Sequence, residues 1–362
     1  MSESRKKVMV GLSGGVDSSV AAYLLKDRGY DVVGTTMEIF NADLPLHASQ
    51  KDACYGPGEK EDVAAAGSVC RQLKIPFHTI DVKKEYQSFV LDYFRREYLA
   101  GRTPNPCIVC NQKVKFGFLL EKASAAGIQF DAFATGHYAR VEKSGEHYLL
   151  KKAVDPLKDQ TYFLYALSQK QLSRTLFPLG ELSKQEVRKI AFSIGLGTAG
   201  RPESQDFIAG GDYSSLFKPE EIRPGDIVDE KGQVLGRHPG IVHYTVGQRR
   251  GLGIASGRRL FVRQIDPDRN RIVVGEKENL YAKGLIAAQL NLIGIEKLEG
   301  PCRVTAKIRL RHPGAAATVY PHENDTVKIW FERPQESITP GQSVVFYRDD
   351  VVLGGGVIRE AL

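Results

Sequence analysis

Hydrophobic positions fall into two textures along this chain. Residues 7–12 form a short apolar run, broken by Ser13-Gly14-Gly15 and followed over residues 17–27 by a helical pattern. The run predicts a strand, the glycines a loop and the following pattern a helix. A second β-like run at 31–39, a helix-like stretch at 61–73 and strand-like runs at 77–82 and 131–135 continue the alternation, which implies βαβ crossovers over a mainly parallel sheet. The first part of the chain is therefore expected to be α/β. Beyond about Asp212 the apolar runs shorten, and 261–265, 271–274, 303–308, 317–320 and 344–347 are separated by Gly, Pro, Asp and Asn, as in small all-β modules. Boundaries near Asp212 and Tyr281 divide the chain into domains over 1–212, 213–280 and 281–362. There is no internal repeat and no low-complexity segment.

Composition narrows the class. With 362 residues, 42% of them hydrophobic and 26% charged, the chain can bury the cores of two or three domains. No apolar run approaches the roughly 18 to 20 residues that span a bilayer, and residues 1–7 are polar, so a cytoplasmic protein with no membrane partner is expected. Five cysteines, with one close pair at Cys107 and Cys110, do not make a secreted disulfide framework; they are thiols, metal ligands or catalysts. A formal charge of +7 and a pI near 9.0 favour a polyanionic partner.

The densest chemistry lies in Gly11-Leu12-Ser13-Gly14-Gly15-Val16-Asp17-Ser18-Ser19. A Gly-rich turn between a strand and a helix start aims several backbone N–H groups into one concavity, where the helix dipole also favours an anion. That is a phosphate cradle. A Walker loop would end in Lys followed by Ser or Thr, whereas Val16-Asp17-Ser18 stands here, which disfavours a kinase or GTPase. The plainer reading is a tight turn with Asp17 or Ser18 capping the helix. The run resembles the SGGxDS pyrophosphate loop (PP-loop) of the N-type ATP pyrophosphatases, which adenylate a carbonyl or carboxyl oxygen and release pyrophosphate.

That superfamily is chemically broad, and four further stretches narrow it. Gly101-Arg102-Thr103-Pro104-Asn105-Pro106-Cys107-Ile108-Val109-Cys110-Asn111, Ala134-Thr135-Gly136-His137-Tyr138, Lys158-Asp159-Gln160-Thr161-Tyr162-Phe163 and Thr245-Val246-Gly247-Gln248-Arg249-Arg250-Gly251-Leu252-Gly253 resemble the bacterial-type tRNA-specific 2-thiouridylase family, in register over nearly the whole chain. Thr339-Pro340-Gly341-Gln342-Ser343 and Leu353-Gly354-Gly355-Gly356 look like the same family's ending. The resemblance implies a PP-loop adenylation domain, a small central domain and a carboxy-terminal β-barrel. It places ATP contacts at Gly11, Leu12, Ser13, Gly14, Gly15, Val16, Asp17, Ser18, Met37 and Gly136, although a methionine like Met37 also reads as ordinary core. It puts Asn105, Pro106 and Cys107 where the target base is met, and His137, Lys158, Asp159, Gln160, Arg309, Leu310 and Gln342 at tRNA-contacting positions. Asp17, Cys107 and Cys110 become the catalytic candidates.

The implied chemistry is coherent. A uracil carbonyl is a poor electrophile with a poor leaving group. Moving AMP from ATP onto that oxygen makes it leave readily, and sulfur can then attack the adjacent carbon. The phosphates call for Mg²⁺ beside the loop N–H groups. The wobble uridine of the anticodon loop must also leave its stack to react.

The sulfur side departs from the family pattern. Members commonly pair a nucleophilic cysteine, matching Cys110, with a persulfide-bearing cysteine in a stretch resembling Ser-Gln-x-x-Cys-Phe. Here Glu203-Ser204-Gln205-Asp206-Phe207-Ile208 is shorter and has no cysteine. Instead Cys107 stands where the family often has Asp, and Cys54 lies in Ala53-Cys54-Tyr55-Gly56-Pro57-Gly58. The spacing of Cys54, Cys107 and Cys110 resembles the triad of cluster-dependent tRNA thiolation enzymes, in which three cysteines hold a 4Fe–4S cluster with one open iron. The competing account keeps Cys110 as nucleophile and Cys107 as resolving or persulfide-bearing thiol, fed by a sulfur donor protein or free sulfide. Zinc would need a fourth ligand, and neither Cys70 nor Cys302 has a nearby cysteine. A thioredoxin-like dithiol sits poorly after Pro-Asn-Pro. Cys70 and Cys302 read as small buried hydrophobes.

Two other functions compete: a PP-loop enzyme acting on a different RNA base or a small metabolite, and a non-catalytic RNA-binding protein that keeps the fold. The intact loop and Cys110 argue against the second. The basic balance and the positions of Lys158, Arg249, Arg250, Arg309 and Arg311 predict strong salt dependence. Release of counterions at about six phosphates lowers tRNA affinity roughly a thousandfold between about 50 and 200 mM salt. A dissociation constant that does not move with salt removes polyanion binding.

Overall fold

The computed structural model describes residues 5–41, 53–201, 206–208 and 213–362. The chain divides into two compact units, the first Met1–Val90, Cys107–Asp212 and Asp350–Val352, the second Leu91–Pro106, Tyr213–Asp349 and Leu353–Leu362. Glu203, Ser204, Gln205 and the expected boundary at Asp212 lie outside the described residues.

The first unit contains β1 (Lys7–Gly11), β2 (Asp31–Glu38), β3 (Ala53–Tyr55), β4 (Phe77–Asp81), β5 (Ala132–Thr135), β6 (Ala139–Ser144), β7 (His147–Lys152), β8 (Thr175–Leu176) and β9 (Asp206–Ile208). Five of these form a parallel sheet in the order β4-β2-β1-β5-β8. Val8, Met9 and Val10 of β1 are all fully buried, as a central parallel strand covered on both faces requires. The helices Val16–Asp27, Glu59–Leu73 and Lys184–Ser193 supply the covering side chains, among them Val20, Leu25, Val69, Cys70, Val187 and Ala191, which join one core with Val8 and Val10. The chain leaves β1 toward β2 on one side and places β5 on the other. The strand order therefore reverses between β1 and β5, and in an open α/β sheet a ligand crevice opens at the carboxyl ends of such a pair. β3 and β9 form a separate parallel pair, and β6 and β7 a hairpin.

The second unit contains β10 (Gly225–Val228), β11 (Val234–His238), β12 (Phe261–Asp266), β13 (Arg271–Gly275), β14 (Tyr281–Leu292), β15 (Cys302–Lys307), β16 (Ala315–His322), β17 (Thr326–Glu336), β18 (Ser343–Arg348) and β19, which runs over Val351–Ala361. The first four make a small sheet, β11-β10-β13-β12. The rest follow the order β14-β17-β16-β15-β18-β19 and close through β14–β19 pairing into a six-stranded barrel. Alternation builds that barrel: Val327, Ile329 and Phe331 of β17 face inward, while Lys328 and Trp330 stay outside with the ammonium 4.9 Å from the indole centroid. The helix Asp92–Leu99 packs Phe94 and Tyr98 against Tyr213 and Phe217.

The α/β first part and the β-rich remainder appear as expected, with strand ends shifted by a residue or two. Cys70 is buried, but Cys302 is not: it is half-exposed, with Arg348 Nη2 donating to its sulfur at 3.4 Å. As the first residue of β15 it lies where the strand emerges from the barrel wall. Among the described residues no helix is long and apolar enough to cross a membrane.

Candidate active site

The crevice at β1 and β5 is built from backbone. Residues 12–15 follow β1, and Gly15 begins the helix Val16–Asp27 with no side chain capping it. The alternative of a helix cap from Asp17 or Ser18 is not realised, because both are engaged elsewhere. Ser18 Oγ accepts from Ser13 N at 3.2 Å and donates to the Gly15 carbonyl at 3.3 Å. The first turn thus keeps its anion-binding character, since the N–H groups of a helix start have no intrahelical acceptor. Gly14 adopts φ +73, and a Cβ there would sit 2.7 Å from the Asp62 carbonyl oxygen. Arg201 clasps the turn, donating to the Gly14 carbonyl at 2.9 Å and pairing with Asp62 at 3.1 Å. From the other side a Cβ at Gly136 would lie 2.6 Å from Ser18 N, so only glycine lets the end of β5 approach.

Asp17 does not point into open space. Its carboxylate accepts from Lys184 Nζ at 2.7 and 2.8 Å and from the Tyr138 hydroxyl at 2.9 Å. Lys184 is 8% exposed, opens the helix Lys184–Ser193, and follows a capping box between Ser183 and Glu186. Sequence reasoning missed Lys184; the Ser183-to-Glu186 spacing was the available signal.

Of the other candidates in this unit, Leu12 and Val16 are buried beneath the loop and Gly11 ends β1. Met37 is half-buried near the end of β2, paired in register with Ile80. His137 follows Gly136 and bonds through Nδ1 with Thr135 Oγ1 at 2.7 Å, walled by Phe116 and Phe177. Burial first, and Lys115 second, hold its imidazole well below the ordinary 6.5. Gln160 accepts from Tyr138 N at 2.9 Å, and Asp159 accepts from the Thr161 hydroxyl at 2.9 Å, so both fasten the chain beside His137. Lys158 is half-buried in the turn before them.

Cys54, Cys107 and Cys110 are all thiols, the first exposed and the others half-buried. The phenol of Tyr86 is raised well above its usual range by burial first and then by the charges of Cys110, Cys54 and Cys107. Tyr86 stacks on Tyr55 at 5.3 Å and 3°. Burial pushes Cys110 up to about 11, against the opposing charge of Lys115. Lys115 therefore acts on both Cys110 and His137, and it too was missed in the sequence. The triad does not fit an iron–sulfur cluster as placed, because among the described residues no three His, Cys, Asp or Glu side chains are disposed to hold a metal.

Asn105, Pro106, Arg309, Leu310 and Gln342 belong to the second unit. Gln342 Nε2 donates to the carbonyls of Thr103 and Pro104 at 2.9 and 3.3 Å, and Thr103 N donates to the Pro340 carbonyl at 2.9 Å. The barrel loop 339–342 thereby holds the segment leading to Asn105 and Pro106. Arg309 donates to the Glu336 carbonyl at 3.0 Å, and Leu310 is half-buried beside it. Two surface hollows, of about 250 and 590 Å³, lie near the amino ends of the parallel strands around Lys7 and Asp131, away from every candidate.

Comparison with known proteins decides the family. Family models described as "tRNA methyl transferase HUP domain", "tRNA methyl transferase PRC-barrel domain" and "Aminomethyltransferase beta-barrel domain" match residues 6–209, 217–276 and 282–358. The chain is 48% identical to the tRNA-specific 2-thiouridylase MnmA of Clostridium perfringens, over 99% of this chain and 100% of that one. It belongs to the tRNA-specific 2-thiouridylase family. A relative of the same description from Endomicrobium trichonymphae is also 48% identical, over 98% of this chain and 99% of that one. Among solved structures, NMN synthetase from Francisella tularensis is similar at TM-score 0.34 and 16% identity over 57% of this chain and 69% of that one, too loose a likeness to carry an argument.

Two outcomes follow from the 2-thiouridylase site. Lys184→Met strands the Asp17 carboxylate, and is expected to cost about 1–3 kcal/mol in denaturant unfolding and to slow pyrophosphate release. Unchanged stability with full release overturns the role. His137 has a folded pKa below its unfolded value, so the unfolded chain binds the extra proton and stability is lost as pH falls below about 6.5. His238 and His312 are depressed too, so His137→Asn should flatten only part of the fall in thermal midpoint toward about pH 5. An unaltered slope would contradict the neutral assignment.

Proposed function

We propose that the chain uses ATP to adenylate the 2-oxygen of the wobble uridine in tRNA and replaces it with sulfur, giving 2-thiouridine, AMP and pyrophosphate. The observation that carries this is the glycine-walled, uncapped helix start at the β1/β5 crevice, in a chain 48% identical over nearly its full length to a 2-thiouridylase. Gly11 to Ser18 and Gly136 line the phosphate site, with the N–H donors coming from Gly14 onward because Leu12 N and Ser13 N already bond to the Thr35 carbonyl and Ser18 Oγ, and Met37 offers an apolar surface for adenine. Mg²⁺ would offset the charge of the nucleotide's phosphates. Lys184 neutralises Asp17 and keeps the crevice electropositive enough for a polyphosphate.

Asn105, Pro106 and Cys107 meet the extruded base, and His137, Lys158, Asp159, Gln160, Arg309, Leu310 and Gln342 carry the remaining tRNA contacts. Cys110 acts in sulfur transfer together with a second thiol of the Cys54, Cys107, Cys110 group. A 4Fe–4S cluster on those three thiols would require them to rearrange, so no step is routed through one. The domain limits 1–212, 213–280 and 281–362 and a cytoplasmic address belong to the same reading, with a persulfide donor protein or sulfide as the sulfur source.

The test is pyrophosphate release with ATP and Mg²⁺, with and without unmodified tRNA, followed by mass spectrometry of the tRNA nucleosides. Release that needs tRNA, and 2-thiouridine that appears when a sulfur source is added, is the expected result. Asp17→Ala and Ser13→Ala should abolish release while tRNA binding survives. Release driven by a small metabolite instead would move the chain to another PP-loop activity, and release by both variants at the parent rate would sink the site.

A further inference from the structure

A persulfide relay needs one accessible thiol to receive the sulfane sulfur and a second thiol to displace it. The stretch in which the family carries the first is here Ser204-Gln205-Asp206-Phe207, without cysteine. The end of that stretch forms β9, and β9 pairs in parallel with β3 in the register Ala53 to Asp206 and Tyr55 to Ile208. Cys54 therefore stands across from Phe207, on the strand beside the one that lacks the thiol. Alternation along β3 turns Tyr55 inward, fully buried and stacked on Tyr86, while Cys54 is exposed. The neighbouring strand residue links Cys54 to Cys110 through one ring: Tyr55 stacks on Tyr86, and the segment Lys83–Tyr86 packs against Cys110–Phe118.

We propose that Cys54 is the sulfur-carrying thiol of this chain and Cys110 the thiol that releases it, a relay whose first member has moved from β9 to the neighbouring strand β3. The proposal rests on the 2-thiouridylase reading. In the first step the Cys54 thiolate attacks the outer sulfur of a donor persulfide, forming Cys54–S–SH and returning the donor as a thiol. The outer sulfur of Cys54 then attacks C2 of the adenylated uracil, forming the C–S bond as the C–O bond to AMP breaks. The Cys110 thiolate attacks Cys54 Sγ, so the base leaves with the transferred sulfur and a Cys54–Cys110 disulfide remains. An external dithiol returns the two electrons that reduce it. Accessibility supports the order. The donor meets exposed Cys54 first, whereas Cys110 is half-buried and its thiol is raised by burial to about 11, which makes it the poorer acceptor of sulfur from solution.

The experiment loads the full-length protein with glutathione persulfide and locates the added sulfur by peptide mass spectrometry. One turnover on tRNA without reductant follows, then disulfide mapping. Sulfur on the Cys54 peptide, a Cys54–Cys110 disulfide after turnover, and about a hundredfold loss of thiolation in Cys54→Ser with an unchanged melting temperature are expected. Sulfur on the Cys107 peptide, a Cys107–Cys110 disulfide, or full thiolation by Cys54→Ser overturns the proposal. So does anaerobic protein holding about four iron atoms per chain on which thiolation depends. Pyrophosphate release by the parent protein is scored separately: if it does not require tRNA, the adenylation reading fails wherever the persulfide sits.

Discussion

The approach of two backbones at the β1/β5 crevice is the constraint on which the first unit depends. With a Cβ at residue 136 lying 2.6 Å from Ser18 N and 2.7 Å from the Asp17 carbonyl carbon, any larger residue would push β5 off the helix start. The same closeness sets where His137 and Tyr138 fall, because they follow Gly136 directly. Tyr138 reaches Asp17, and the Tyr138 amide is held by Gln160. One glycine thus fixes the loop, the carboxylate behind it and the start of the 158–163 stretch, motifs that lie far apart in the sequence.

The charge arrangement follows from that packing. A carboxylate at the second residue of a helix is favoured by the dipole, but it competes with an incoming anion for the same N–H groups. Lys184 resolves the competition by drawing the Asp17 oxygens onto its ammonium. A buried ion pair gives little net stability once desolvation is counted. Its value here is local: the loop N–H groups face the crevice without a neighbouring uncompensated negative charge.

Much of this was legible in residue order. The strand, Gly/Ser loop and helix at residues 7–27 are local signals, and they appear as β1, the cradle and the helix Val16–Asp27. Three of the barrel strands, β15, β16 and β18, were visible as short apolar runs between turn residues, whereas β14, β17 and β19 were not read. Lys184 was not visible, because a lysine in the first turn of a helix looks like a solvated surface charge until the fold carries it to Asp17, 167 positions away. Lys115 was hidden for the same reason, its effect on Cys110 and His137 arising only when residues 110–118 pack beside β5. Cys302 was misread because a cysteine in a β-rich region says nothing about which end of a strand it will occupy.

The thiols show what spacing leaves out. Cys107 and Cys110 are three positions apart, so spacing pairs them, while Cys54 has no partner nearby in the sequence. The fold weights them differently, since a parallel pair of three-residue strands brings residue 54 beside residue 207. Exposure differs among the three sulfurs: Cys54 is exposed, while Cys107 and Cys110 are half-buried. A sulfur species arriving from water therefore meets residue 54 first, and spacing along the chain gives no hint of that order.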